Sequence, residues 1–198
     1  MSAAEGDQAP DFEMPASGGR TVSLAAMRGK PFVLYFYPKA DTPGCTKEAC
    51  AFQEALPQLG KIGLDVIGVS RDAMPPIEKF AEKYQLTFPL ASDAAGAVSE
   101  AYGTWVEKSN YGKKYMGLDR ATFLIDAQGK IARVWRKVKV DGHAAKVMEA
   151  AKALGLLCWL VSVGRRNEFR PTHRGVGRKL FRHLTVTPRR SLSDRRAS

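Results

Sequence analysis

The sequence predicts an α/β fold: a central mixed sheet flanked by helices. Three observations predict it. Two apolar runs, Phe32–Tyr37 (FVLYFY) and Leu64–Ser70 (LDVIGVS), have the length and composition of buried central strands. Helical stretches alternate with strands along the chain. The alternation ends in a hairpin and a last helix, giving the order β-α-β-α-β-α-β-β-α, which calls for helices on both faces of one sheet.

Each element has a local reason. Residues 1–31 read as a loop with short strands at Asp11–Met14 and Thr21–Leu24, divided by the turn Ser17-Gly18-Gly19. Thr42–Leu59 reads as a helix, with Thr42 placed to act as N-cap, Pro43 at the first helical position and Gly60 to end it. Pro57 is expected to kink or shorten it. Pro75–Tyr84 is a helix with prolines at its start. Thr87–Leu90 is a short strand and Ala94–Tyr102 a short helix. Trp105–Leu118 is polar, contains Gly112 and Gly117, and reads as a loop or an irregular hairpin. Ala121–Asp126 and Lys130–Trp135 flank the turn Ala127-Gln128-Gly129 and form a β-hairpin. Gly142–Leu154 is amphipathic, with Val147, Ala150, Ala151 and Leu154 on one face and Gly155 at the C′ position.

Charge divides the chain in two. The 198 residues carry a formal charge of +11. Residues 1–155 hold 20 Lys+Arg against 18 Asp+Glu, whereas residues 156–198 hold 11 against 2. The basic residues also change from mostly lysine to mostly arginine at Gly155. The expected organisation is one domain over 1–155 and a basic, Arg-rich C-terminal extension over 156–198, too poor in clustered apolar residues for a core of its own and expected to be largely disordered. Nucleic-acid binding is expected only through that extension. The longest nearly apolar run, Ala153–Val163, is too short to span a bilayer, and the N-terminus does not read as a signal peptide. Three cysteines are too few for a disulfide scaffold. The expectation is a soluble cytoplasmic protein with no membrane partner.

The chemistry concentrates in PKADTPGCTKEAC, Pro38–Cys50. With Thr42 as N-cap, Cys45 falls at the third position of the helix, where unpaired amides and the positive end of the helix dipole favour a thiolate. Gly44 keeps bulk away from the sulfur. Cys50 lies five residues on. In an intact helix their Cα atoms stand roughly 8.6 Å apart, beyond the limit of about 7 Å for a disulfide. A bridge therefore requires the first turns to unwind, which suits a switch better than a staple. Two readings stay open from spacing alone: a redox-active pair, or two small buried hydrophobes. A metal site lacks ligands, since the histidines are only His143, His173 and His183 and there is no second cysteine pair. No metal or other cofactor is expected. Asp41, Lys47 and Glu48 are expected on the solvated helix face.

The segment LYFYPKADTPGCTKEAC closely resembles the active-site segment of the peroxiredoxins, in particular the bacterioferritin comigratory protein or peroxiredoxin Q subfamily. The pattern P-x-x-x-[TS]-x-x-C is met by Pro38, Thr42 and Cys45, and the subfamily's second cysteine by Cys50. GDQAPDF, GKPFVLYFYP, GVSRD, YGTWVEK and YMGLDRATFLIDAQGKI agree in order, so the resemblance covers about residues 5–154. It implies a thioredoxin-like fold. It also implies a thiol peroxidase that reduces hydrogen peroxide and organic hydroperoxides. Cys45 would be the peroxidatic cysteine and Cys50 the resolving one, closing an intramolecular disulfide that thioredoxin or a similar dithiol reduces. Thr42 would hydrogen-bond the sulfur or the peroxide, Pro38 would shield the sulfur from water, and Arg120 would stabilise the thiolate and the developing charge. Without the resemblance, Thr42 reads as a plain N-cap and Arg120 as an arginine at a strand edge. An internal bridge asks for no dimer, so a monomer or weak dimer is expected. A peroxide sensor passing its oxidation to a partner is the alternative. The resemblance gives no role to Cys158 or to residues 156–198.

Overall fold

Five consecutive buried residues, Phe32–Phe36 (β3), divide the interior into two layers. Strand side chains alternate between sheet faces. Phe32, Leu34 and Phe36 accordingly pack on one side with Phe12, Val98, Tyr102 and Phe123. Val33 and Tyr35 pack on the other with Cys45, Phe52, Phe80 and Val147. The computed structural model describes residues 3–110 and 113–155. The expectations for 156–198, including the basic extension and Cys158, lie outside the described residues.

The remaining elements in chain order are β1 (Glu13–Ala16), β2 (Arg20–Ser23), α1 (Leu24–Met27), α2 (Pro43–Lys61), β4 (Asp65–Ser70), α3 (Met74–Lys83), β5 (Leu90–Ser92), α4 (Ala97–Ala101), β6 (Trp105–Asn110), β7 (Lys113–Leu118), β8 (Ala121–Ile125), β9 (Ile131–Arg136) and α5 (His143–Ala153). Seven strands form one sheet in the order β2-β1-β5-β4-β3-β8-β9. The sheet is mixed: β3 runs parallel to β4, and β4 to β5, while β8 is antiparallel to both β3 and β9. Core residues of α2, α3 and α5 cover one face, and Val98 of α4 lies on the other. This is the α/β architecture expected from the sequence.

Three local expectations change. Helix α2 continues past Pro57 to Lys61. Phe52 and Leu59, on either side of the proline, are both fully buried, and their packing outweighs one lost backbone hydrogen bond. The strand expected at Thr87–Leu90 begins at Leu90 instead. The Thr87 amide is taken by the Gln53 side chain of α2 at 2.9 Å, which removes it from the ladder. The segment 105–118 forms a regular antiparallel pair, β6–β7, in register from Trp105↔Leu118 to Asn110↔Lys113. β7 is exposed on both faces from Lys113 to Met116, which is why the segment lacks the apolar alternation of a half-buried hairpin.

Candidate active site

The site grows from the end of β3. Tyr37 is buried, Pro38 and Lys39 emerge into solvent, and the chain must then turn back into α2. Asp41 makes that turn in the left-handed region, at φ 56°, a conformation more accessible to Asp than to most residues. Its carboxylate accepts hydrogen bonds from Lys83 Nζ at 2.8 and 2.9 Å and from the Tyr84 hydroxyl at 2.8 Å. The Ala40 amide donates to Asp72 Oδ2 at 2.7 Å, and Ser70 Oγ donates to the same oxygen at 2.8 Å. The loop entering α2 is thus tied to β4 and α3 at two successive residues.

Thr42 has the extended backbone of an N-cap, but its hydroxyl does not cap the helix. It donates to the Lys39 carbonyl at 3.0 Å, so the expected side-chain cap is corrected. The amides at the start of α2 therefore have no hydroxyl from Thr42. Pro43 occupies the first helical position, as expected. Cys45 sits in the first turn and is only 2% exposed.

Arg120 lies between β7 and β8, and its carbonyl accepts from the Val138 amide at 3.0 Å. Its guanidinium crosses to α2, where Nη2 donates to Cys45 Sγ at 3.3 Å and Nη1 donates to Glu48 Oε2. One guanidinium thus holds the sulfur and a carboxylate together. A Cβ on Gly44 would come within 3.3 Å of Arg120 Nη2, so the missing side chain there gives the guanidinium its room.

Glu48 was expected on the solvated helix face; the structure corrects this. It is 1% exposed. Three residues after Cys45 on a helix, it falls on the same inward face as the sulfur. Burial pushes its carboxyl up to about 7, with the Arg120 charge and hydrogen bond pulling the other way. Oε1 has no hydrogen-bond partner among the described residues. The sequence carries one signal for this: Cys45, Glu48, Ala49 and Phe52 fall on one helical stripe. A lone charge in such a stripe reads as outward-facing until its distant partner is known. Asp41 and Lys47 are exposed, as expected, with Lys47 ion-paired to Asp141.

The structure therefore brings together Cys45, Arg120 and Glu48. Pro38 and Thr42 stand on the loop leading to them, and Cys50 is half-buried on the following turn with a free thiol. Behind the site, His143 at the start of α5 is buried, with Nε2 2.8 Å from Thr122 Oγ1 on β8. Burial, then the Lys146 and Arg120 charges, lower its pKa to about 4. The phenols of Tyr35 and Tyr37 are buried without hydrogen-bond partners among the described residues. No group of three or more His, Cys, Asp and Glu side chains among the described residues is arranged to hold a metal.

A buried thiol and a cation at a helix start can lower the barrier to a nucleophilic attack that leaves negative charge on sulfur and on a departing oxygen. Comparison with known proteins agrees with that chemistry. The AhpC/TSA family profile matches residues 5–134. A putative Bcp peroxiredoxin of Coxiella burnetii is 51% identical over 148 residues, covering 75% of this chain and 98% of its own. The Bcp peroxiredoxin of Bacillus subtilis is 45% identical over 147 residues, covering 74% and 94%. Among solved structures, the bacterioferritin comigratory protein of Xanthomonas campestris, studied for alkyl peroxide reduction through trapped intermediate and ligand complexes, is 42% identical with a TM-score of 0.70, covering 72% of this chain and 91% of its own. A cysteine-to-serine variant of Xylella fastidiosa PrxQ is 36% identical with a TM-score of 0.74, covering 78% and 98%.

Proposed function

We propose, from the premise that this chain belongs to the AhpC/TSA family and is a peroxiredoxin, a thiol peroxidase of thioredoxin-like fold, a division of labour among its residues. Cys45 is the peroxidatic cysteine. Its thiolate attacks one peroxide oxygen, the O–O bond breaks, and the other oxygen leaves as water or alcohol once protonated. The sulfur becomes a sulfenic acid. The observation that carries this reading is the Arg120 guanidinium, 3.3 Å from the sulfur of a thiol buried in the first turn of a helix. It meets negative charge on the sulfur and on the oxygens that approach it. Thr42 contributes a hydroxyl that can turn from the Lys39 carbonyl toward the peroxide, and Pro38 stiffens the loop and limits water at its mouth.

Cys50 resolves the sulfenic acid. Its thiolate displaces the oxygen from Cys45 as water, and an intramolecular disulfide forms. Both cysteines lie on the intact helix α2, so the bridge forms only after the turns between them open. A dithiol reductant such as thioredoxin then restores both thiols. Hydrogen peroxide and organic hydroperoxides are the substrates. The internal bridge lets a monomer complete the cycle, and the need for a steady supply of reduced dithiol fits the cytoplasm. No helix among the described residues is long and apolar enough to cross a membrane.

The test is steady-state peroxide consumption with a thioredoxin system. Cys45→Ser is expected to abolish it. Cys50→Ser is expected to leave one stoichiometric turnover that ends in the sulfenic acid. Full activity in Cys45→Ser would overturn the assignment, and unimpaired cycling in Cys50→Ser would overturn the resolving role.

A further inference from the structure

Glu48 lies between the two cysteines, inside the stretch of α2 that has to open before they can bond. It is 1% exposed. One carboxylate oxygen is held by Arg120, the same guanidinium that holds Cys45 Sγ, and the other has no hydrogen-bond partner among the described residues. A buried carboxylate with one oxygen unmet gains solvation when it leaves its site. We propose that Glu48 is a positioning residue for the resolving step, whose ionised carboxylate drives the opening of α2 and whose protonation holds the helix closed.

The proposal rests on the reading of Cys45 and Cys50 as a resolving pair. Opening residues 45–50 carries Glu48 away from Arg120 into water. In the closed helix, burial holds its carboxyl up at about 7. In the opened, hydrated segment it returns to the ordinary glutamate value of about 4.3. The direction follows from that difference. A carboxyl whose pKa is higher in the closed form binds its proton more tightly there. The closed helix is therefore held most firmly below the ordinary carboxylate pKa. That advantage is lost as pH rises toward 7, and above it the opening equilibrium levels off.

The groups facing Glu48 support this sign. Arg120, from the β7–β8 connection, is the cation against it. Cys45 shares that cation from one turn away. From β3, the Tyr35 phenol is buried, and its pKa is raised first by burial and further by Tyr37, Glu48 and Cys45, so it stays neutral. From α5, His143 interacts with the Arg120 charge and is itself neutral above about 4. Oxidation of Cys45 from thiolate to neutral sulfenic acid leaves Glu48 as the anion on Arg120, the state in which the helix must open. The exposed Lys47–Asp141 pair on the same turn is a weak tether. The step stays balanced: sulfenic acid and thiol give disulfide and water, and Glu48 exchanges only its own proton with solvent.

The experiment separates resolution from peroxide attack. Reduced protein receives one equivalent of hydrogen peroxide, is quenched by acid at intervals, and is assayed by mass spectrometry for sulfenic acid and disulfide between pH 5.5 and 8. The wild type is expected to resolve up to about 30-fold faster at pH 8 than at pH 5.5 from this linkage. Glu48→Gln should resolve slowly throughout, and its rise with pH should be smaller than the wild type's by about that factor. Glu48→Asp, which keeps an ionisable carboxyl, should recover the rise. Amide exchange of residues 44–50 in the Cys50→Ser protein supplies a readout independent of Glu48 substitutions. Corrected for intrinsic rates, opening should increase between pH 5.5 and 7.5. A Glu48→Gln profile matching the wild type, or opening that does not change with pH, would overturn the proposal. Absence of any Cys45–Cys50 disulfide in the wild type would instead overturn the reading on which it stands.

Discussion

Two buried carboxylates sit on opposite sides of the sheet and are treated differently. Asp93, 4% exposed, lies beside the start of α4. Its Oδ1 accepts from the Val98 amide at 3.2 Å, and its Oδ2 accepts from the Ser99 amide at 2.7 Å and from the Ser99 hydroxyl. All three donors are neutral groups fixed by the helix, and both oxygens are used. Glu48 has one cation on one oxygen and no hydrogen-bond partner among the described residues on the other. Asp93 is built to stay; Glu48 is built to be held only while Arg120 holds it. A satisfied buried carboxylate serves as structure, whereas a half-satisfied one stores a cost that a conformational step can release.

That contrast can be broken most severely at Arg120. Arg120→Ala removes the donor to Cys45 and leaves Glu48 buried without a charge partner. Loss of one such donor typically costs about 100- to 1000-fold in turnover, and breaking a buried pair destabilises by roughly 3–5 kcal/mol. Peroxide-dependent oxidation of the thiol should fall accordingly, and the denaturant midpoint should drop at pH 8. Adding Glu48→Gln to Arg120→Ala should restore part of the stability but not the rate. A double variant no more stable than the single would show that Glu48 is not the strained partner.

His143 sharpens the comparison from the acid side. It is a buried base held neutral against Thr122, with a folded pKa near 4 against an ordinary 6.5. Because the folded value is depressed, the associated stability is complete above about 6.5 and is lost as pH falls toward 4. The loss is roughly 3 kcal/mol when complete. Titration of the imidazole by NMR should give a midpoint far below 6; a midpoint at the ordinary value would remove this contribution. Asp93→Ala should have the smallest effect of the three, about 1–3 kcal/mol from unpaired donors. Turnover per folded molecule should be unchanged and no new pH dependence should appear in the resolving step. A change in that step would mean the two carboxylates are not separate in function.

Much of this was legible along the chain. Runs such as Phe32–Tyr37 and Leu64–Ser70 announce buried strands because a central sheet asks for apolar residues on both faces. Pro43 and Gly44 announce a helix start, and that start places Cys45 where its sulfur can react. Pro57 misled, because packing of Phe52 and Leu59 on both sides of it exceeds the local cost of a proline. Thr87 misled as well, since no local pattern shows that Gln53, 34 residues away, takes its amide. Glu48 departs furthest from its local pattern: charge argues for the surface, and only a partner elsewhere can reverse that.

The sequence by itself determined the α/β class, the helix that begins at Pro43, and the spacing that keeps Cys45 and Cys50 apart. These depend on near neighbours, through periodicity, proline stereochemistry and helix rise. The tertiary structure alone decided that Arg120 reaches both Cys45 and Glu48. Those contacts join residues 75 and 72 positions apart, brought together by the pairing of β8 with β3 beside the start of α2. Local chemistry can nominate a nucleophile. Which charges surround it depends on strands that meet only when the chain has folded.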